Sequence, residues 1–580
     1  MQKRLRLVLA ASVLAAVAVA QGSVPATVPA LMFQQEGKKG GVFTQAITTA
    51  PVTFNYYNAI DGATQTVLNN TFDRLLTLNP YTNKIYPNLV ESWQFSEDGL
   101  SLTMRLRDIK WSDGTPFTAD DVIFTVDSLA NNPNLRANFT AQLRIGGQSL
   151  KFQKVNDRTF RVVMPVQYGA ILNVLTFFPI MPKHKLEQFD PIGKPADFAR
   201  AWATDSKLSE IVGTGSYILS SYVANQKVTL VRNPNSWRKD PSDNQLPYTD
   251  KLEYLVINSQ EGQLAQLKAG TLDSLSITGA QFPDMKAAEV RDNKVRVLRG
   301  IGLNSPPWHW SFNFDSSDAD LAKVFRDLRF RQAMNNALNR ERIIESVFNG
   351  LASLPGHGVA PISDWYINTK QYFPNWNLKA AAETLDGMGV KDTDGDGVRN
   401  LTAGKNFEFS LTHAADSSVA PAMGAIIQND LKQLGIRVNL RGVAGNTVLG
   451  TGQAGNFDSI LLTFGDQPDP QLRKDIWQPG RGLNYWRKSL QPTKPNDPIN
   501  TKSMFSYEKR IYQIFDEAER LGDQSRRKAL YDEWQVLFAK YMPVILITKP
   551  DVLAVVNNRI GNFFARDNRV LWSPSTVYEK

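Results

Sequence analysis

Residues Asn88–Val126 read NLVESWQFSEDGLSLTMRLRDIKWSDGTPFTADDVIFTV, and this stretch decides which fold the sequence predicts. Residues 93–95 are typical of a short strand. Residues 96–99 predict a tight turn, because the glycine at the last position accepts a positive φ at low cost. The next residues have the period of a half-buried strand. In that strand Leu102, Met104 and Leu106 alternate with Thr103, Arg105 and Arg107.

The second part of the stretch predicts the start of a helix. Residues 112–114, Ser-Asp-Gly, indicate another turn. Thr118 then stands as an N-cap, and Asp121 follows three residues later in a capping-box-like pattern ahead of the apolar residues 122–124. Nothing in these elements is catalytic, so the stretch predicts a structure and not a chemistry.

The rest of the chain has a mixed α/β pattern. Strands and helices alternate up to about residue 300, and no internal repeat of fixed period is found. Residues 325–348 predict one long helix. Further on, Ile427, Leu431 and Leu434 share one helix face, a glycine stops that helix, and residues 436–440 alternate as a strand. Helix, glycine and strand in this order are how an α/β layer is wound, so the predicted fold class is α/β.

Length and composition limit the possible classes of protein. A chain of 580 residues is too long for one ordinary core and predicts several domains. Its hydrophobic content of 42%, with 21% charged residues, is globular and excludes a disordered chain. The formal charge is +9, and removing three basic residues of the N-terminal leader leaves +6. Because lysine and arginine form no dense run, we expect no nucleic-acid partner.

The first 20 residues have the composition of a secretory signal peptide. Three basic residues precede the apolar residues 7–19, which are too few to span a bilayer comfortably. The Ala-Val-Ala ending predicts cleavage just after it, and a short anchor helix is the alternative. We therefore expect an exported protein with a signal peptide at 1–20 and a flexible lead-in at 21–39.

The chain contains no cysteine. Disulfides, thiolate metal ligands and a cysteine nucleophile are therefore excluded. The same absence leaves no residue after the leader to which a lipid could be attached. We expect a periplasmic protein that is exported by its signal peptide and is not lipid-anchored.

The opening stretch resembles the signature block of the family 5 extracellular solute-binding proteins, the dipeptide-, oligopeptide- and nickel-binding type that feed ABC importers. The elements ESW, SEDGL, RLRD, KWSDGTPF and ADDV occur in that family's order and at close spacing. Residues 213–217 and 325–333 continue the likeness, although Ser216 stands where proline is usual. The resemblance covers roughly residues 40–575.

This resemblance implies an α/β, two-lobed periplasmic-binding-protein fold of class II type, with an extra subdomain, around a central ligand cleft. The chain of such a protein crosses between the lobes twice, and we expect the crossings near 298–312 and 543–552. The expected boundaries are lobe one at 40–300, its extra subdomain at about 71–185, lobe two at 301–545 and a C-terminal return to lobe one at 546–580.

Motifs of catalysis are missing from the sequence. It contains no G-x-S-x-G elbow, no P-loop and no H-E-x-x-H pair. The four histidines are scattered singly, which argues against a catalytic histidine and against a dedicated nickel site. We therefore expect a protein that is not an enzyme and has no cofactor, with an envelope hydrolase as the less favoured alternative.

One acidic loop matches the first half of a calcium-binding loop. Asp392, Asp394 and Asp396 stand at its positions 1, 3 and 5, and Gly397 follows at position 6. The twelfth position, which should hold a bidentate glutamate, is Ala403. The loop is therefore either a structural turn or a weak calcium site, and no other metal site is expected.

Residues 457–470 resemble the family's ligand motif and give the central site prediction, which is Phe464, Gly465 and Asp466. In the peptide-binding members the matching aspartate pairs with the α-ammonium of the ligand, and the resemblance assigns this contact to Asp466. A partly buried carboxylate needs a cation, which the amino end of a peptide supplies. The alternative is that Asp466 caps a turn. Thr463 stands where an aromatic residue is usual, which leaves the shape of the side-chain pocket open.

Aromatic residues near the expected cleft are the other candidates for ligand contact. Trp308 and Trp310 follow a Pro-Pro step at the first crossing, and Asn55 and Tyr56 belong to an irregular aromatic loop near the start of the fold. Aromatic faces stack on peptide side chains and equally on sugar rings. We therefore predict the substrate-binding component of an ABC importer that captures di- or oligopeptides, and an oligosaccharide is the alternative ligand.

The expected partners follow from the same resemblance. They are a peptide or other small solute, and the permease and ATPase subunits of the importer. We expect a monomer whose two lobes close over the ligand by hinge motion. The identity and length of the ligand stay open at this point.

Overall fold

The computed structural model describes residues 28–79, 81–137, 139–301, 305–369, 373–494 and 497–580. The predicted signal peptide and the first residues of the predicted lead-in lie outside the described residues. The described part of the lead-in is anchored to the C-terminal segment. There the main-chain N–H groups of Gln34 and Gln35 donate to the side-chain oxygen of Asn562, at 2.9 and 3.3 Å.

Strands and helices alternate through the first half of the chain, as the sequence predicts. The strands are β1 (Val42–Ile47), β2 (Leu76–Leu78), β3 (Ile85–Pro87), β4 (Val90–Phe95), β5 (Ser101–Leu106), β6 (Arg144–Ile145), β7 (Gln148–Ser149), β8 (Lys151–Asn156), β9 (Thr159–Val163), β10 (Tyr217–Val223), β11 (Lys227–Arg232), β12 (Lys251–Val256), β13 (Ser274–Ser276) and β14 (Val295–Gly300). The helices are α1 (Gly62–Leu68), α2 (Ala119–Phe124), α3 (Ile171–Val174), α4 (Lys183–Leu186), α5 (Pro195–Phe198), α6 (Gln260–Lys268) and α7 (Phe282–Asp292).

Three sheets organise this part, which we call lobe one. β1 pairs in parallel with β12, and β11 and β10 extend the sheet in antiparallel fashion. A second sheet, β4-β5-β9-β8, is antiparallel throughout. In the third sheet β13 and β14 flank β23 (Val552–Asn557), so the C-terminal segment returns to complete lobe one. The C-terminal segment continues with β24 (Ile560–Gly561), β25 (Phe564–Arg566), β26 (Arg569–Leu571) and β27 (Tyr578–Glu579).

The second half of the chain forms lobe two around one six-stranded sheet of order β16-β22-β15-β21-β19-β20. The strands of this half are β15 (Trp308–Phe312), β16 (Ala352–Ser353), β17 (Asn400–Thr402), β18 (Lys405–Asn406), β19 (Glu408–Ala414), β20 (Arg437–Val443), β21 (Ser459–Thr463) and β22 (Ile545–Pro550). The helices are α8 (Ala319–Arg326), α9 (Leu328–Ala337), α10 (Arg340–Phe348), α11 (Leu378–Gly387), α12 (Ala420–Gln433), α13 (Gly445–Ala454), α14 (Lys474–Trp477), α15 (Ser506–Glu519) and α16 (Gln524–Tyr541).

The predicted single helix over 325–348 is wrong. Three helices, α8, α9 and α10, cover this region, because two polar residues interrupt the periodic pattern and cap the next helix. Asp327 accepts a hydrogen bond from the main-chain N–H of Arg329, and Asn339 does the same for Arg342, each at 2.9 Å. Both caps have non-helical backbone angles.

Each lobe has its own large cluster of buried apolar side chains. The chain passes from lobe two back to lobe one through a single residue, Asp551, between β22 and β23. The carboxylate of Asp551 accepts a hydrogen bond from Arg299, at the end of β14, at 2.5 Å. Its main-chain N–H donates to the carbonyl of Leu351 in lobe two, at 3.0 Å. The crossing is therefore bonded to both lobes.

The opening stretch forms the elements that the sequence predicts. β4 and β5 pair antiparallel, and Leu102, Met104 and Leu106 are fully buried. Thr118 and Asp121 form the predicted capping box at the start of α2. Within the stretch, the strand period and the cap each depend on residues close in sequence, so local chemistry is enough to predict them.

Asp121 also connects α2 to two other segments. One carboxylate oxygen accepts hydrogen bonds from the main-chain N–H of Thr118 (3.0 Å) and the indole N–H of Trp111 (3.2 Å). The other oxygen accepts from the main-chain N–H of Lys183, at 2.9 Å. The side chain is only 4% exposed, and burial raises the pKa of Asp121.

Replacing Asp121 by alanine should lower the free energy of unfolding by about 2–4 kcal/mol, because one buried and two partly buried donors lose their acceptor. Urea unfolding of the purified protein measures this. Asp120→Ala is the matched control, since Asp120 pairs with Lys154 at the surface and its loss should cost about 1 kcal/mol or less. Equal losses in the two variants would contradict the assignment.

Candidate functional site

One edge of the lobe-two sheet faces lobe one. β19 runs parallel to β20 and to β21, so the carboxyl ends of the three strands meet at that edge. β15 runs the other way, and its first residue, Trp308, pairs with Thr463 of β21 and with Thr548 of β22. The chain enters from lobe one before β15 and returns to lobe one after β22. Ligands of α/β sheets bind outside the carboxyl ends of strands.

We name this region the cleft edge, and it comprises Trp308, Phe464–Asp466 and Thr548–Lys549. The fold thus brings the predicted motif residues next to the first tryptophan of β15. The pairing of Trp308 with both neighbouring strands fixes this arrangement. The sequence alone does not show that the end of β22 belongs to the same place.

Asp466 is paired within the protein. The ammonium group of Lys549 donates to a carboxylate oxygen of Asp466 in a short ion pair. The Asp466 side chain is 3% exposed and that of Lys549 is 1% exposed. Burial raises the pKa of Asp466, and the positive charge of Lys549 opposes this effect. The carboxylate at the predicted ligand position therefore already has a cationic partner.

Phe464 and Gly465 differ in their surroundings. The Phe464 ring is buried and stacks on the imidazole of His309, with ring centroids 5.0 Å apart. Gly465 is exposed, and a side chain there would meet no atom within 4 Å. Phe464 therefore supports the cleft edge from inside lobe two, while Gly465 leaves open space at its surface.

The two tryptophans of β15 are separated by the fold. Trp308 is half-buried at the cleft edge, whereas Trp310 is 1% exposed and packs on Phe312 in the core of lobe two, with ring centroids 4.5 Å apart. Trp308 lies at the cleft edge, and Trp310 lies two residues further along the strand. Contact of either residue with a ligand stays a prediction.

Asn55 and Tyr56 are buried in lobe one. Asn55 caps a short 3-10 helix by accepting a hydrogen bond from the N–H of Tyr57 (3.1 Å), and its amide donates to the carbonyl of Phe198 (3.2 Å). The Tyr56 hydroxyl accepts a hydrogen bond from Arg74 at 3.0 Å. These bonds show that both residues stabilise the local structure of lobe one. Their contact with a ligand stays a prediction.

A bridge between the lobes lies three residues beyond Asp466. One oxygen of Asp469 accepts a hydrogen bond from Asn173 of lobe one at 3.3 Å, and the other accepts from Arg527 of lobe two at 2.9 Å. Arg527 also donates to the carbonyl of Gly169 in lobe one, at 3.1 Å. The main-chain N–H of Gly169 donates to the carbonyl of Glu519, at 3.2 Å. We name these contacts the interlobe bridge.

Sequence reasoning missed Lys549 and the interlobe bridge. The one signal for Lys549 is that a lysine stands in the apolar run VILITK, where a charge needs a partner. Arg527 carries no such signal, because it belongs to a helix rich in charged residues. Its side chain is nevertheless 3% exposed, and it pairs with the equally buried Asp469.

The acidic loop is an exposed turn that bonds its own backbone. Asp392 accepts hydrogen bonds from the N–H groups of Gly395 (2.7 Å) and Gly397 (3.0 Å), and these N–H groups lower the pKa of Asp392. One oxygen from each of Asp392, Asp394 and Asp396 lies within 4.8 Å of the others. Calcium binding at this turn stays a prediction.

Comparison with known proteins decides the family. The model described as bacterial extracellular solute-binding proteins, family 5 (middle part), matches residues 84–477. The chain belongs to this family. The family predicted from the opening stretch is thereby confirmed, and with it a solute-binding role in ABC import, which works with permease and ATPase subunits. The members found are binding proteins and not enzymes.

Three relatives of similar sequence are informative. A probable ABC transporter-binding protein of Deinococcus radiodurans is 27% identical over 530 residues, covering 87% of this chain and 86% of the relative. The periplasmic alpha-galactoside-binding protein of Rhizobium meliloti is 25% identical over 511 residues, covering 82% and 70%. The oligopeptide-binding protein AppA of Bacillus subtilis is 26% identical over 495 residues, covering 82% and 84%.

The fold of this family 5 protein also matches solved structures. The structure of AppA from Bacillus subtilis, in complex with a nonapeptide, has a TM-score of 0.69 at 21% identity and covers 94% of this chain and 100% of AppA. The two-lobed α/β fold is therefore confirmed. Among the described residues, no helix combines the length and the apolar character that crossing a bilayer requires.

The buried His309 below the cleft edge predicts a pH dependence of stability. Burial lowers its pKa to about 3, and one ring nitrogen bonds the hydroxyl of Tyr485 at 2.8 Å. An unfolded histidine has a pKa near 6.5, so the unfolded state binds the proton first as the pH falls. Stability is therefore lost progressively as the pH falls from about 6.5 towards 3.

At pH 5 this histidine should cost about 2 kcal/mol of stability relative to pH 7. His309→Gln, which keeps a partner for Tyr485, should lose about 2 kcal/mol less than the natural protein over the same interval. Urea unfolding of both proteins at the two pH values gives the comparison. The same loss in both would show that His309 is not the titrating group.

Proposed function

We propose that this solute-binding protein captures a short peptide at the cleft edge, closes its lobes over it, and delivers it to the permease of an ABC importer. The interlobe bridge is the observation that carries the proposal. It joins the two lobes at Asp469, three residues away from Asp466. The movement that closes the lobes and forms this bridge would therefore also enclose a solute at the cleft edge. The binding of a nonapeptide by AppA supports a peptide ligand.

An oligosaccharide is the second candidate ligand. The Asp466–Lys549 pair favours it, because a paired carboxylate has no need of a ligand ammonium group. The half-buried Trp308 offers a ring face of the kind that stacks on sugars. The alpha-galactoside-binding relative from Rhizobium meliloti is consistent with this alternative.

The cellular setting belongs to the same proposal. We place the mature protein in the periplasm as a monomer without a lipid anchor, which agrees with the periplasmic alpha-galactoside-binding relative and with the absence of cysteine. In this proposal the protein performs no chemistry, and binding of the solute shifts it from the open form to the closed form.

Ligand binding should stabilise the purified mature protein. A ligand at about 100 times its Kd adds roughly 2.7 kcal/mol to the free energy of unfolding. Thermal unfolding with a random tetrapeptide mixture, and separately with raffinose, tests the two classes. Mass spectrometry of the ligand after incubation should find it unchanged, whereas cleavage products would indicate a hydrolase. Stabilisation by neither probe would contradict both proposed ligand classes.

Gly169→Ala should weaken the binding of the stabilising ligand at least tenfold. A Cβ atom at Gly169 would lie 2.2 Å from the carbonyl oxygen of Leu521 and 2.6 Å from Arg527, so the lobes could not close fully. Gly62→Ala is the matched control in the same lobe, because its Cβ would meet no atom within 4 Å. Isothermal titration of both variants measures the effect. Equal affinities would argue against closure through this bridge.

A further inference from the structure

Lys549 is held beside Asp466 by the sheet as well as by the ion pair. β22 lies between β16 and β15, and Lys549 itself pairs with Ser353 of β16. The hydroxyl of the preceding residue, Thr548, donates to the carbonyl of Ser353 at 3.0 Å. The backbone of Lys549 therefore cannot shift away from Asp466 without breaking the pairing of β22 with β16 at the edge of the lobe-two sheet.

An ammonium group of a ligand would have to compete with this tethered one. A tethered group has an effective concentration of millimolar or more, whereas a ligand with a micromolar Kd acts at about a thousandfold lower concentration. The competition also leaves Lys549 buried without a counter-ion, and the side chain is only 1% exposed. An unpaired buried charge is strongly destabilising.

The other charges near the pair do not change this balance. Arg473 is a further cation that acts on Asp466, and the same Arg473 acts on Asp475. Two cations of this chain therefore act on Asp466, and the ammonium group of a ligand would meet the repulsion of both.

We infer that Lys549 is the resident counter-ion of Asp466, and that the solute bound at the cleft edge presents an uncharged end to this pair. The inference rests on the proposed function and narrows its substrate class. The ligand is a neutral, hydroxyl- or amide-bearing solute, or a peptide held through its backbone, and a free amino terminus is not required.

The test compares the binding of peptides with a free amino terminus and with an acetylated one. It uses three forms of the mature protein: the natural chain, Lys549→Met, and the double variant Asp466→Asn with Lys549→Met. The probes are a random tetrapeptide mixture, the same mixture N-acetylated, and raffinose. The natural protein should bind free and acetylated peptides with affinities within threefold. Lys549→Met exposes an unpaired carboxylate and should prefer the free amine at least tenfold. The double variant should lose that preference.

The outcomes separate the inference from the proposed function. A tenfold or greater preference of the natural protein for free amines overturns the inference and leaves the peptide proposal standing. Binding of raffinose alone supports the inference and rejects the peptide ligand. If neither probe binds, the proposed ligand classes fail, and a second measurement decides the inference.

That second measurement is chemical rescue of Lys549→Ala, which lacks the atoms of a propylammonium ion. Propylammonium chloride should raise the melting temperature of this variant above its value in sodium chloride of equal concentration. The natural protein, whose site is filled, should show no such difference. Absence of rescue, or an equal effect on both proteins, overturns the inference. Recovery of folding on addition of propylammonium counts as rescue if the variant alone does not fold.

Discussion

The buried ion pair between Asp466 and Lys549 constrains the geometry on which the solute-binding role depends. Two charges that are taken out of water must stay together, because removing one partner typically costs about 3–5 kcal/mol. The pair fixes the segment after β21 to the end of β22. Since β22 continues through Asp551 into lobe one, the same interaction sets the cleft edge relative to the crossing.

The interlobe bridge uses a second buried pair in a different way. Asp469 and Arg527 form an ion pair within lobe two. The second carboxylate oxygen of Asp469 and a further N–H of Arg527 then bond to lobe one. Opening the lobes therefore leaves no buried charge unpaired. It exchanges a few hydrogen bonds at Asn173 and Gly169 for bonds to water, which costs little net free energy. This arrangement suits a protein that closes and opens repeatedly.

Local chemistry made much of the fold predictable. The alternation of Leu102, Met104 and Leu106, and the cap formed by Thr118 and Asp121, depend on residues only a few positions apart. The glycine that is predicted to stop α12 is Gly435, and it follows the end of that helix with a positive φ of 70°. The helix expected over 325–348 failed for a local reason as well, because the caps at its breaks outweigh the apolar period.

The candidate site could be predicted only in part, because its decisive contacts are distant in sequence. The motif predicts Asp466 as a site residue, but its partner Lys549 is 83 residues away. Trp308 and Trp310 stand two residues apart, and the sequence does not distinguish their environments. Only the position of β15 in the sheet places Trp308 at the cleft edge and Trp310 in the core. Periodicity carries no information on which end of a strand faces the other lobe.

A crystal structure of the mature protein, purified with the solute it retains from an expressing cell, tests the central claim most directly. We expect electron density for the solute at the strand ends beside Trp308, with Lys549 still bonded to Asp466 and the interlobe bridge formed. A ligand ammonium group on Asp466, with the Lys549 side chain displaced from the carboxylate, would contradict it.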